Sequence, residues 1–167
     1  MIGTVEEARL VAEWPLECYS EDCYEWILPD ESWSLVGEGC NRLAILSPSG
    51  VVYKRQLSTS KSDNSNMREF ENILRAIERP IKGWRVPESQ MYSFENTDII
   101  AMEYIVGTHD TQCNRAYRQW DHKCNCTGAC TAEKWEQVEA LWGITDVHPE
   151  NIIVEYTGIR VLIDLAE

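Results

Sequence analysis

The order of patterns along these 167 residues predicts an α+β fold. Two apolar hairpin patterns carry much of that expectation, one over residues 33–57 around Ser47-Pro48-Ser49-Gly50 and one over NIIVEYTGIRVLIDL around Thr157-Gly158. Two helical patterns, MREFENILRAIERP and TAEKWEQVEALWG, are placed between strand patterns without alternating with them one for one. There is no internal repeat, so a wound βαβ sheet is not expected.

In chain order, TVEEARLVAEW opens with Thr4 as N-cap candidate and Glu7 three residues on, a capping-box pattern. Val5, Leu10, Val11 and Trp14 form a rough helical stripe that Pro15 ends. Residues 16–32 are acidic, aromatic and aperiodic, so 1–32 reads as an N-terminal extension with little regular structure beyond this helix. The first hairpin follows, then a polar loop over 58–66 with no apolar anchor. Met67, Phe70, Ile73, Leu74 and Ile77 recur at helical spacing until Pro80 and Gly83 close the pattern. VPESQMYSF and DIIAMEYIVG read as two strands. Residues 108–130 have little periodicity, and a helix capped by Thr131, with Trp135, Val138, Leu141 and Trp142 on one face, leads to the last hairpin.

Composition narrows the function. With 28 acidic against 15 basic side chains the net charge is −13, which argues against a phosphate-backbone binder and so against nucleic acid as a partner. No apolar run approaches the ~20 residues that span a bilayer, and the N-terminus lacks a basic-then-apolar signal, so no membrane partner is expected. Seven cysteines, an odd number without such a signal, point to a reducing, cytoplasmic setting.

Several residues could carry phosphoryl transfer, a reaction that needs neutralised phosphates, divalent metal and an oriented acceptor hydroxyl more than covalent help. Mg²⁺ takes oxygen ligands and keeps several waters, so one Asp and one Asn can hold it. In ITDVHPENIIV, Asp146 precedes a strand whose mouth is Asn151, and Asp164 follows the apolar triplet Val161–Ile163. Gly37-Glu38-Gly39 opens a hairpin where backbone N–H groups can approach phosphates. Lys54 ends the next strand, and a helix bearing Glu69 and Glu71 follows.

These segments together resemble the protein-kinase-like superfamily, and more closely its aminoglycoside- and choline-phosphotransferase branch. VGEGCNRLAI resembles the glycine-rich loop of that branch, and VVYKRQ the strand bearing the phosphate-binding lysine. MREFENIL resembles the helix whose glutamate pairs with that lysine; Glu69 matches first and Glu71 second. IIAMEYIVG resembles the hinge that holds adenine, TDVHPENIIV the catalytic loop, and VLIDLAE the metal-binding strand. The sequence departs from the family at Arg42, which replaces the third glycine of the protein-kinase pattern, at Ile144, where His is common, and at Leu165-Ala166, which replaces Phe-Gly.

The resemblance implies a minimal bilobal kinase-like fold: a β-rich N-lobe over 33–106, a hinge near 103–107 and a much shortened C-lobe over 107–167. That last lobe contains a Cys-rich segment at 109–130 and the catalytic-loop and metal-binding hairpin at 144–167. ATP is expected between the lobes, with Gly37, Gly39 and Lys54 on the phosphates, Glu69 orienting Lys54, and Met102, Glu103 and Ile105 on the base. Asn151 and Asp164 would hold Mg²⁺, Asp146 would be the catalytic base, and His148 would support the loop. The expected activity is ATP-dependent phosphotransfer to a hydroxyl of a protein or small molecule. The alternatives are a catalytically reduced kinase-like protein that binds a protein partner through its acidic surface, and a fragment of a longer enzyme.

Cys113, Cys124, Cys126 and Cys130 lie within 18 residues, interspersed with His109 and His122. Two readings stand side by side: a structural tetrahedral Zn²⁺ tying down a polar segment, or thiols buried singly.

Overall fold

Strand register organises this chain around two separate sheets. The computed structural model describes residues 2–14, 28, 30–38, 42–57, 65–109, 132–145, 147 and 149–165. In chain order the elements are α1 (Val5–Glu13), β1 (Ser34–Glu38), β2 (Arg42–Leu46), β3 (Val51–Gln56), α2 (Ser65–Glu78), β4 (Trp84–Arg85), β5 (Ser89–Ser93), β6 (Asp98–Glu103), β7 (Gly107–His109), α3 (Ala132–Trp142), a 3₁₀ turn (Pro149–Asn151), β8 (Ile152–Glu155) and β9 (Arg160–Leu162). They fall into two units, Met1–Phe70 with Glu88–Tyr104, and Glu71–Pro87 with Ile105–Glu167.

The first unit is built on a five-stranded antiparallel sheet of order β1-β2-β3-β6-β5. The Ser47–Gly50 turn closes the β2–β3 hairpin, with Gly50 N–H donating to Ser47 O at 3.0 Å and Gly50 at φ +80°. Side chains alternate across the sheet, so register decides which residues share a face. Leu43, Ile45, Tyr53, Ile99 and Ala101 lie on one face and form a buried cluster with Ala8 and Val11 of α1 and with Trp33. The opposite face carries Ala44, Val52, Lys54, Ile100 and Met102.

The N-terminal helix therefore belongs to the core of this unit. Its stripe differs from the sequence expectation: Ala8 and Val11 are buried, while Val5 and Leu10 are exposed. The cap is also only half of a capping box. Thr4 accepts from Glu7 N–H as expected, but the Glu7 carboxylate accepts from Tyr53 Oη at 2.7 Å and from Ser49 Oγ at 3.0 Å. Thr4 N–H donates instead to Tyr53 Oη at 3.1 Å. At the other end, buried Arg55 donates to Val11 O at 2.7 Å, placing a cation against the negative end of the helix. Burial, first, and then the hydrogen bond to Glu7 push the Tyr53 phenol well above its usual range.

Helix α2 starts at Ser65, inside the stretch expected to be loop, and it buries a different face from the one its apolar residues suggest. Asn66, Glu69, Asn72, Ile73 and Ala76 are buried, whereas Met67, Leu74 and Ile77 are exposed. Polar residues outrank apolar ones here because each has a specific partner inside.

In the second unit the sheet order is β4-β9-β8-β7, with β4 parallel to β9 and the remaining pairs antiparallel. Neither β4 nor β7 stands out in the sequence; both are too short for a period-2 signal. Gly107 sits so close to Val154 O and the Ile153 side chain that any Cβ would collide with them. Three of the four residues of the α3 stripe, Trp135, Val138 and Trp142, are buried while Leu141 is exposed, and Gly143 at φ +75° ends the helix, its N–H donating to Glu139 O at 2.9 Å. Two arginines from α2 and its end serve the last carbonyls, Arg75 on Trp142 O at 2.8 Å and Arg79 on Leu141 O at 3.3 Å. Trp142 Nε1 returns a bond to Arg79 O at 2.8 Å.

Candidate functional site

Lys54 is the second side chain on the β3 face opposite α1 and is almost fully buried. A lone ammonium is costly there, so a partner is required. Glu69, completely buried on α2, supplies it: Lys54 Nζ donates to Glu69 Oε1 at 2.7 Å. Glu71 is exposed, so Glu69 is the glutamate that pairs. The helix is pinned beside the strand by Asn66, whose Nδ2 donates to Lys54 O at 3.0 Å and to Asp98 O at 2.7 Å. The second carboxylate oxygen of Glu69 is taken by the Arg42 guanidinium. Breaking such a buried pair by removing one partner costs about 3–5 kcal/mol.

The same sheet face supplies neighbours for Lys54. Ala44 is its cross-strand partner on β2 and Gly37 is the partner of Ala44 on β1. Val52, two residues before Lys54, is flanked by Leu46 and by buried Met102. The face thus presents small and apolar groups beside Lys54, with Arg42 on the same face. Beyond Met102, Glu103 is fixed to the start of β5, its N–H donating to Glu88 O at 2.9 Å and its carboxylate accepting from Glu88 N–H at 2.8 Å. Ile105 is buried, and the boundary between the units falls between Tyr104 and Ile105.

A five-stranded antiparallel sheet whose third strand presents a lysine to a glutamate on the following helix is the arrangement expected of a kinase-like N-lobe. The fold is protein-kinase-like.

In the second unit, the β8–β9 hairpin positions the two expected metal ligands at its open end. Ile152 pairs with Leu162, and the ladder continues one step further as Ile163 N–H donates to Asn151 O at 2.9 Å. Asn151, at the end of the 3₁₀ turn, and Asp164, one residue past this bond, therefore flank the same hairpin end, and both are partly buried. Buried Asn72 of α2 holds the segment just beyond, its Nδ2 donating to Leu165 O at 2.6 Å. At the far end of the hairpin Arg85 pairs with Glu155 at 2.5 Å, and that bond holds the Glu155 carboxyl below its usual range.

Asp146, Gly39, His148 and Cys113, Cys124, Cys126 and Cys130 lie outside the described residues. His109 is exposed on β7, and among the described residues no group of three or more His, Cys, Asp and Glu is placed to hold a metal ion. No described helix is long and apolar enough to cross a membrane. Sequence reading missed Arg42, Asn66, Asn72, Ala44 and Val52. Spacing held a signal for four of them: Asn66 and Asn72 lie three residues either side of Glu69, and Val52 and Ala44 share the Lys54 face.

No protein-family profile matches the chain, and no curated protein does. Solved structures do. The bifunctional kinase-methyltransferase WbdD is 18% identical over 83% of this chain and 34% of its own, with a TM-score of 0.45. An apo pseudokinase is 11% identical over 80% of this chain and 56% of its own, with a TM-score of 0.46. The PknI kinase domain of Mycobacterium tuberculosis is 17% identical over 83% of this chain and 61% of its own, with a TM-score of 0.41. The chain spans less than two thirds of each, and likeness at this level assigns it neither activity nor substrate.

Proposed function

We propose that the chain binds Mg·ATP and transfers the terminal phosphoryl group to a hydroxyl of a protein or small molecule. The single observation carrying this reading is the buried Lys54–Glu69 pair at 2.7 Å, on a sheet face that also carries Ala44, Val52 and Met102. A lysine on that face would place its charge against phosphate oxygens, with Glu69 limiting its freedom and Asn66 fixing the strand and helix that carry the two. The small and apolar neighbours suit an aromatic base, with Glu103 and Ile105 supplying backbone polar groups. Gly37 leaves the strand beside Ala44 without a side chain.

Asn151, just before β8, and Asp164, just after β9, bring one amide and one carboxylate to a single hairpin end, a donor set that suits Mg²⁺. Bound there, the ion would neutralise charge on the transferring phosphate. Asp146 is assigned as base on its position five residues before Asn151. In the step itself the acceptor oxygen bonds to the γ-phosphorus, the bond from that phosphorus to the β–γ bridging oxygen breaks, and ADP leaves. The acceptor proton passes to the Asp146 carboxylate.

The test is thermal stabilisation by Mg·ATP and γ-phosphate transfer, each repeated with Asp164→Ala. Stabilisation and transfer that both depend on Asp164 support the enzyme. No stabilisation of the unaltered chain would sink the assignment of the site. Stabilisation that depends on Asp164 without transfer to any offered acceptor favours a nucleotide-binding partner protein over an enzyme.

A further inference from the structure

Arg42 stands where the protein-kinase pattern has its third glycine, and the structure gives that departure a role. Its guanidinium takes Oε2 of Glu69 while Lys54 takes Oε1, so both oxygens of one fully buried carboxylate are committed to cations. The two side chains are 12% and 10% exposed, whereas Glu69 is fully buried. Arg42 is also the first residue of β2, and it lies on the same face as Ala44 and Lys54. Its partner across the hairpin is buried Gln56.

We propose that Arg42 is a positioning residue for a polyphosphate-bearing ligand, acting through Glu69 on Lys54. This rests on the nucleotide reading above. Two physical effects follow from the shared carboxylate. A glutamate held at both oxygens has one orientation, so the direction in which Lys54 is held is fixed before any ligand arrives. A second cation also adds one positive charge to the Lys54–Glu69 neighbourhood, and in a poorly hydrated setting that favours anions over neutral ligands. Glycine at this position supplies neither effect. The site therefore discriminates by phosphate count: it gains more from a triphosphate or diphosphate than from the nucleoside that carries it.

Calorimetric titration with Mg·ATP, Mg·ADP and adenosine tests this on the unaltered chain, Arg42→Gln and Arg42→Lys, with Glu69→Gln and the Arg42→Gln/Glu69→Gln pair closing a cycle. Arg42→Gln is expected to weaken ATP and ADP at least tenfold and adenosine less than twofold, and Arg42→Lys to recover most of that loss. In the Glu69→Gln background, Arg42→Gln should cost clearly less than in the unaltered chain, because the orienting part of its role acts through the carboxylate and only the added charge remains to be lost. ATP affinity of folded Arg42→Gln within twofold of the unaltered chain overturns the inference while leaving the nucleotide reading intact. An equal loss in both backgrounds also overturns it, since that marks direct contact. If Arg42→Gln does not fold, Arg42→Lys carries the test: ATP affinity within about threefold supports the role, and a loss as deep as that of Lys54→Ala overturns it. Absence of ATP binding by the unaltered chain removes both this inference and the reading beneath it.

Discussion

Lys54 on β3 and Glu69 on α2 meet at 2.7 Å across a sequence separation of 15, and the glutamate has no exposure to water. Neither group is tolerable there alone. Replacing Glu69 with alanine strands two cations at once, Lys54 and Arg42, and should cost about 3–5 kcal/mol of stability by chemical denaturation. Glu69→Gln, which keeps the volume and one acceptor oxygen, should cost less.

Asn72 is the clearest test of the metal-binding segment. Its amide donates to Leu165 O, the carbonyl one residue after Asp164. Asn72→Ala leaves that buried carbonyl without this donor, at about 1–3 kcal/mol. Hydrogen exchange should quicken at residues 162–165, with β1–β3 unchanged. Uniform acceleration across both units would contradict a local role.

Tyr53 anchors α1 by accepting from Thr4 N–H and donating to Glu7. Tyr53→Phe keeps the ring in the core and removes both bonds, so it should cost about 1–3 kcal/mol. Because burial raises the phenol's folded-state pKa, its contribution is fully present below the unfolded value near 10 and is lost as pH climbs toward the folded one. The alkaline limb of the unfolding curve should therefore flatten in Tyr53→Phe.

Glu155 works in the opposite pH direction. Arg85 depresses its folded pKa, so the pair's contribution is present above the unfolded glutamate pKa and fades as pH falls through the folded one. The pair is partly exposed, so Glu155→Gln should cost no more than about 1 kcal/mol at neutral pH, and nothing once both states are protonated. A denaturation series across the acid range checks this.

The fold class, both hairpins, α3 and the Lys54–Glu69 pairing were legible in the sequence because each rests on a local period or on spacing within one motif. The buried face of α2 was not. Its apolar residues Met67, Leu74 and Ile77 are exposed, while Asn66, Glu69 and Asn72 point inward to partners that lie 12 to 93 residues away in sequence. Periodicity of hydrophobicity cannot find a helix face selected for hydrogen bonding. The two-residue β4 and three-residue β7 depend on pairing with β9 and β8, which no local signal encodes. Arg42 looked like a defect in a glycine pattern, and its pairing with Glu69 depends on a contact 27 residues away.

The most direct measurement of the central claim is calorimetric titration of Mg·ATP into the unaltered chain and into Lys54→Ala. Saturable one-site binding, weakened at least tenfold in folded Lys54→Ala, is the predicted result. No binding by the unaltered chain, or equal binding by both, would contradict the claim that Lys54 on its Glu69 support handles nucleotide phosphates.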